Sequence, residues 1–370
     1  MPVTNIQFEN LKPNTPGAKL LFLHLGVQHK LTDIDKYLSI HKFVNTVGYH
    51  IVPRVDGFPN PFNISTWEKV KWISKGHRLT KLSFSEITDL RALEIAQLAS
   101  QVDLPIAVSY SGGIDSAVIV AAMIRNFGKE LLDRVVIKMN NASYFENPYF
   151  FDNVIQKHNL RLSDKLEYDW ENSIVIAGEP GDSVTLPFVL PVMDALHPGI
   201  YQKSPVAEPE ILLNWLAEYD NMENAIWYYE QILASAKAEN INIETYEDFF
   251  WWGKQALAYG GNVLNLLKQR ANPWTDRSWS KFNSCAIAWF HTSLYRAWSA
   301  THRNNGEKYN GTMRSFKMPM KQYIYSVDRN QYYLDYKTKT FSSAFPERGK
   351  IAALYDDGTA YFYPSTFLRS

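Results

Sequence analysis

The chain has 370 residues, enough for one large domain or two ordinary ones, and 46% of them are hydrophobic, so it can bury a substantial core. Its 38 Lys and Arg balance 38 Asp and Glu, and this formal neutrality argues against a strongly basic nucleic-acid binder. The single cysteine, Cys285, excludes an internal disulfide, a four-cysteine zinc site and a CxxC redox pair, and it reads as a small core residue.

From the N-terminus, Met1 to Lys19 is polar, holds three prolines and lacks a basic-then-apolar leader pattern. The longest apolar runs, Leu20–Leu25 and Ala117–Ile124, fall short of the roughly 20 residues a membrane span needs. The expectation is a cytosolic protein with no membrane partner. Residues 1–85 read as a small β-containing segment, with strands at Leu20–Leu25 and Tyr49–Pro53 and turns at Asp56-Gly57 and Pro59-Asn60-Pro61.

The pattern changes at Ser83. A capping arrangement with Glu86 opens a helix to Val102, with Ile87, Leu90, Leu93, Ile95 and Leu98 at helical spacing. Ile106–Tyr110 reads as a buried parallel strand, and Asp115–Phe127 as an apolar helix ended by Gly128. A strand at Arg134–Met139, a helix at Pro148–His158 and a strand at Ser173–Ala177 follow. This alternation predicts an α/β fold with a parallel sheet flanked by helices. Its core is expected at about 86–200, within a domain spanning 86–345.

Residues 208–219, 221–238, 244–270 and 282–303 read as helices, giving a helical part at about 205–305. Aromatics reach 14% of the chain, with 11 Trp and 22 Tyr, crowded after residue 210. They fill a helical core or form a stacking platform for a base or sugar. Tyr323–Tyr333 has β character. Ile351–Tyr363 has a hairpin pattern around Asp356-Asp357-Gly358, which makes 346–370 a separate tail.

Chemistry concentrates at Ser109-Tyr-Ser-Gly-Gly-Ile-Asp-Ser116. A buried strand runs through two glycines straight into a helix. Gly112 and Gly113 let the backbone turn tightly, and the helix start offers N–H groups and a positive dipole end. Ser111 and Ser116 add hydroxyls. Asp115 suits an anion that arrives with a divalent cation, or else caps the helix. A second acidic stretch, Gly178-Glu179-Pro180-Gly181-Asp182, ends the strand at 173–177, where open α/β sheets bind ligands. Glu179 and Asp182 have the chemistry to hold Mg²⁺ against phosphate oxygens.

Ser-Gly-Gly-x-Asp-Ser resembles the PP-loop of the ATP-pyrophosphatase superfamily. The stretch at 178–182 resembles an element of the synthetase domains of asparagine synthetase and β-lactam synthetase-like enzymes, with Pro180 in place of a glycine and Ser183 in place of a second acid. The resemblance implies an adenine nucleotide alpha hydrolase-like (HUP-type) fold, with ATP and Mg²⁺ as nucleotide and metal. The implied ATP and pyrophosphate contacts are Ser109, Ser111, Gly112, Gly113, Ile114, Asp115, Ser116, Met139, Gly178 and Glu179, and the implied metal residues are Asp115, Asp182 and Glu179. Met139-Asn140-Asn141 falls where the family clamps adenine, and Trp289-Phe290-His291-Thr292 resembles an aromatic–acid region of the synthetase domain. Asp335–Lys339 resembles the stretch that carries the family's catalytic lysine. With Asp115, Lys337 and Lys339 are therefore the implied catalytic residues, and Lys317 and Lys321 are the alternatives.

The implied reaction adenylates a substrate, a carboxylate first among the choices, with loss of pyrophosphate; an amine or ammonia then displaces AMP to form an amide. Residue 2 is proline and residues 1–85 are too few for the family's glutaminase domain, so ammonia is expected free, from a substrate amine, or from a separate partner. Two other readings stand beside this one. One is a PP-loop enzyme that adenylates a nucleobase, against which the zero net charge counts. The other is a non-catalytic nucleotide-binding subunit, against which the intact loop counts.

Overall fold

The computed structural model of the protein describes residues 6–7, 65–66, 80–164, 172–178, 181–187, 189–217, 221–257, 286–337, 351–354 and 360–362. The chain divides into two compact units, Met1–Arg78 with Val189–Trp279, and Leu79–Phe188 with Ser280–Ser370. This grouping differs from the segments expected at 1–85, 86–345 and 346–370, because the α/β unit is assembled from two separate stretches of chain.

In the first unit, the two-residue strands β1 (Ile6–Gln7) and β2 (Ser65–Thr66) pair antiparallel. The second unit opens with α1 (Phe84–Val102). Its Ser83 hydroxyl accepts the Glu86 N–H at 3.2 Å, and the Glu86 carboxylate accepts the Ser83 N–H at 2.7 Å. Each group satisfies a donor that the helix start leaves open. Next come β3 (Ile106–Ser109), α2 (Ile114–Asn126), α3 (Lys129–Leu132), β4 (Val135–Lys138), α4 (Asn141–Glu146) and α5 (Pro148–Phe150). A π-turn at Phe151–Ile155 extends α5, and β5 (Arg161–Ser163), β6 (Ile174–Ala177) and α6 (Gly181–Val184) follow.

The first unit resumes with α7 (Val189–Leu196), α8 (Pro209–Ala217), α9 (Met222–Ala238) and α10 (Tyr246–Leu257). Helix α9 packs against α8 and α10. Here Trp215, Tyr228, Phe249, Phe250, Trp251 and Trp252 are core residues. The Trp252 indole keeps its hydrogen bond by donating to the Ser235 hydroxyl at 2.9 Å. These rings are packed into the unit's interior, as a helical core requires.

The second unit closes with β7 (Ala286–Ala288), α11 (Ser293–Thr301), α12 (Met318–Asp328), α13 (Gln331–Tyr336), β8 (Ile351–Leu354) and β9 (Ala360–Phe362). Its main sheet has the order β5-β4-β3-β6-β7, with every neighbouring pair parallel. The chain lays down β3 in the middle, moves outward through β4 and β5, then returns to the far side of β3 with β6 and β7. The direction of winding therefore reverses between β3 and β6. Neighbouring connections diverge at such a reversal and leave a crevice at the carboxyl ends of the two strands. Ile106, Val108 and the whole of β6 are buried, so these strands are near-continuous apolar runs. Helix α2 buries every residue from Ala117 to Met123 and packs against α1 and α12. This is an α/β fold.

Several elements differ from their expected form. Tyr323–Tyr333 is helical, split between α12 and α13. Pro319 sits in the first turn of α12, and Met320, Tyr323 and Ile324 line its buried face at a spacing of three and one, so packing against α2 overrides the β preference of Tyr and Ile. The helix expected at 282–303 is instead β7, which continues the sheet beside β6, followed by a turn and α11 capped by Thr292. Strand β5 was not anticipated, because it is a three-residue edge strand with a single apolar residue, Leu162, which is itself exposed. Phe127, not Gly128, closes α2, and Gly128 opens α3. Strands β8 and β9 pair antiparallel where the hairpin was expected. Leu20–Leu25, Tyr49–Pro53, the turn at 356–358, and residues Glu179, Cys285 and Lys339 lie outside the described residues.

Candidate functional site

The loop Tyr110–Gly113 leaves β3 at the winding reversal. Gly112 has φ +80, and a Cβ there would overlap the Ser143 carbonyl oxygen of α4 and approach Glu146 Cβ to 2.8 Å. Only glycine fits such a left-handed turn against another backbone. The two serines brace the turn internally. The Ser116 hydroxyl accepts the Ser111 N–H at 3.1 Å and donates to the Gly113 carbonyl at 3.0 Å, and the Gly113 N–H donates to the Ser111 hydroxyl at 3.3 Å. The serines thus fix the shape of the loop as well as lining it. Gly113 is the N-cap of α2 and offers no side chain to its first amides. The helix start therefore presents backbone donors and its positive dipole end at the carboxyl edge of the sheet.

Strand β6 brings the second acidic stretch alongside. A Cβ on Gly178 would lie 3.1–3.2 Å from Asp115 and Ser116, and one on Gly181 would overlap the Asp115 carboxylate. The two glycines clear the space in which Asp115 and Asp182 converge. Between them lies Lys317, which leads into α12. Its Nζ is 2.7 and 2.5 Å from the two Asp115 carboxylate oxygens and 2.6 Å from Asp182 Oδ1. The lysine side chain is 2% exposed, whereas those of Asp115 and Asp182 are 30% and 23% exposed. Burial opposes the Lys317 charge, but the Asp115 and Asp182 carboxylates outweigh it and push its pKa up to about 12.

A second buried lysine lies on the α4 side of the loop. Lys337, at the end of α13, has its Nζ 3.4 Å from Glu146 Oε1, and its pKa is lowered by burial against the opposing pull of Glu146. Glu146 in turn lies close to Gly112 and Gly113. Beside the pair, the Tyr110 ring stacks on Phe150. Its buried hydroxyl has no hydrogen-bond partner among the described residues, and burial, followed by the Glu146 and Asp328 carboxylates, raises its pKa far above the usual phenol range. Asp328 is pushed up to about 6 by burial, against the lowering pull of the Asn330 and Asp328 N–H groups.

The structure thus brings Ser109, Ser111, Gly112, Gly113, Ile114, Asp115, Ser116, Gly178 and Asp182 together at the carboxyl ends of β3 and β6. Met139 follows β4 and is nearly buried, and its N–H donates to the Ser163 carbonyl at 3.0 Å, so an adenine contact there would use the Met139 carbonyl. Lys321 is a structural staple. Its Nζ donates to the Arg314 carbonyl at 2.5 Å and the Lys337 carbonyl at 3.1 Å, tying the approach to α12 to the end of α13. Trp289 and Phe290 are core residues, and the Trp289 indole donates to the Tyr295 hydroxyl at 3.0 Å. Glu146 and Tyr110 join the site without having been singled out. Glu146 carries no local motif, because only the Gly112–Ser143 contact brings α4 to the loop.

Among the described residues no group of three His, Cys, Asp or Glu side chains forms a self-sufficient metal site. Asp115 and Asp182 nevertheless converge on one point, now held by an ammonium. That donor set fits a Mg²⁺ that takes one or two protein carboxylates and completes its shell with phosphate oxygens and water. Compared with known protein families, with characterised proteins and with solved structures, the chain matches none. Among the described residues no helix is long and apolar enough to cross a membrane.

Proposed function

We propose that the second unit is a PP-loop ATP pyrophosphatase of the HUP-type fold, which adenylates a substrate carboxylate and passes it to an amine or ammonia. The observation that carries this reading is the meeting, at the winding reversal between β3 and β6, of an uncapped Ser-Gly-Gly helix start with the acid pair Asp115 and Asp182 and their lysine. The pyrophosphate half of ATP lies on the Ser111–Ser116 loop, on backbone N–H groups and the α2 dipole. Asp115 and Asp182 are the residues that would hold a Mg²⁺ carried by the nucleotide, and when bound it supplies charge neutralisation on the phosphates.

The carboxylate oxygen attacks the α-phosphorus, the bond to the β-phosphate bridging oxygen breaks, and pyrophosphate leaves with the electron pair. The amine nitrogen then attacks the acyl carbon and the bond to AMP breaks. The protein's part is orientation and electrostatic stabilisation. Lys337, whose proton affinity burial has reduced, is suited to exchange a proton with the attacking amine, and Glu146 orients it. ATP and inorganic pyrophosphate compete for one site in this account. Equilibrium titration of the wild type and Asp182→Asn tests it: pyrophosphate displaces ATP from the wild type, and the variant loses at least tenfold in affinity for ATP with Mg²⁺. Simultaneous binding of both ligands would sink the assignment of the loop.

A further inference from the structure

Lys317 has a feature that an ordinary ion pair does not require. Its Nζ donates to both carboxylate oxygens of Asp115 and forms an ion pair with Asp182 Oδ1, so that three carboxylate oxygens lie 2.5–2.7 Å from one ammonium. Lys317 reaches the pair from the interior, with its side chain 2% exposed, while both aspartates keep an open side. Its backbone is left-handed, with φ +56 in a non-glycine residue, and Pro319 fixes the helix turn that follows. Gly178 and Gly181 make room for Asp115 on the opposite side. The result is a three-oxygen nest already filled by a cation of the protein's own.

We propose that Lys317 is a resident cation that neutralises the acid pair in the nucleotide-free protein, so that a divalent cation gains these carboxylates only by displacing it. A free divalent ion meets a pair whose charge is already half cancelled. A metal bound to phosphates arrives with ligands of its own, and the displaced ammonium remains beside the phosphate oxygens as a second positive charge. The device makes the site select metal–nucleotide over metal alone. It rests on the reading of Asp115 and Asp182 as metal-bearing residues.

The test is a titration with Mn²⁺ and no nucleotide, followed by electron paramagnetic resonance, on the full chain. The wild type and Lys317→Arg, which keeps the charge, bind Mn²⁺ weakly. Lys317→Met and Lys317→Gln each gain one site at least tenfold tighter, and adding Asp182→Asn to Lys317→Met abolishes the gain. Thermal melts supply a second readout. The neutral variants, whose two adjacent carboxylates have lost the Lys317 charge, melt lower than the wild type and are restored by Mn²⁺, while the wild-type melting temperature does not respond. Wild-type binding as tight as that of the neutral variants, or a neutral variant that Mn²⁺ neither binds nor restores, would overturn the proposal. Because no nucleotide is present, these outcomes are separate from the ATP and pyrophosphate competition. ATP binding with no Mn²⁺ gain refutes the resident cation alone, and a Mn²⁺ gain with no ATP binding refutes the nucleotide reading alone.

Discussion

Asp328 and Tyr110 are polar groups placed where burial works against them. Asp328 takes up its proton at about 6 instead of 3.8, so between those values the folded state holds a proton that the unfolded chain has lost. The contribution of this group to stability is then fully present below about 3.8 and is lost as the pH rises through 6. Asp328→Asn removes the charge and keeps an oxygen for the Asn330 N–H, which now donates to Asp328 Oδ1 at 2.9 Å. The variant is expected to be more stable than the wild type at pH 7–8, by an amount on the order of 2 kcal/mol, with the difference shrinking toward pH 4. Urea titrations at several pH values measure this, and an equal difference at all of them would contradict it. Tyr110→Phe removes a hydroxyl without a partner among the described residues and is expected to leave stability unchanged or raise it by about 1 kcal/mol. At this scale the sequence was informative where a residue belongs to a contiguous motif, as Asp115 and Asp182 do. It was uninformative for Glu146 and ambiguous among the lysines, because burial and partner choice depend on chain brought in from 140–337.

At the scale of elements, the glycines separate fold from function. Gly112→Ala places a Cβ against the Ser143 backbone at a positive φ, and neither neighbour can yield. It is expected to cost at least about 2 kcal/mol of stability and to remove nucleotide binding. Gly181→Ala overlaps the Asp115 carboxylate, which can rotate away from Lys317, and approaches Asp115 Cβ to 3.1 Å, a contact that a shift of a few tenths of an ångström relieves. Its expected cost is under about 1.5 kcal/mol, with ATP affinity reduced at least tenfold. Thermal melts and ATP titrations on the two variants distinguish the effects, and equal stability losses would contradict the account. Strands β3, β4 and β6 and helices α1 and α2 were legible because each is a long periodic or continuously apolar run with clear boundaries. Strand β7 and helix α12 were misread. A three-residue strand takes its identity from β6 beside it, and the tyrosines of α12 favour a strand until α2 packs against them.

Across the whole molecule, the candidate site belongs to a unit built from two stretches, 79–188 and 280–370. The alternation of strands and helices announced the first stretch. The second contributes β7, Lys317 and Lys337; the domain expected at 86–345 included most of it through the resemblance at Asp335–Lys339, but no pattern showed that some ninety residues of another unit intervene. Nucleotide at 100 times its dissociation constant is expected to stabilise the second unit by about 2.7 kcal/mol. In hydrogen exchange, protection is expected at 110–116, 143–146, 178–184 and 314–321, all within that unit. Protection confined to 209–257 would place the nucleotide elsewhere.

The central claim is which bond of ATP is broken. ATP radiolabelled at the α-phosphate, incubated with Mg²⁺, ammonium and a panel of carboxylic acids or a metabolite extract, reports it directly. The account predicts label in AMP with an equal amount of pyrophosphate, and none with Asp115→Ala. Label accumulating in ADP, with release of inorganic phosphate, would contradict it.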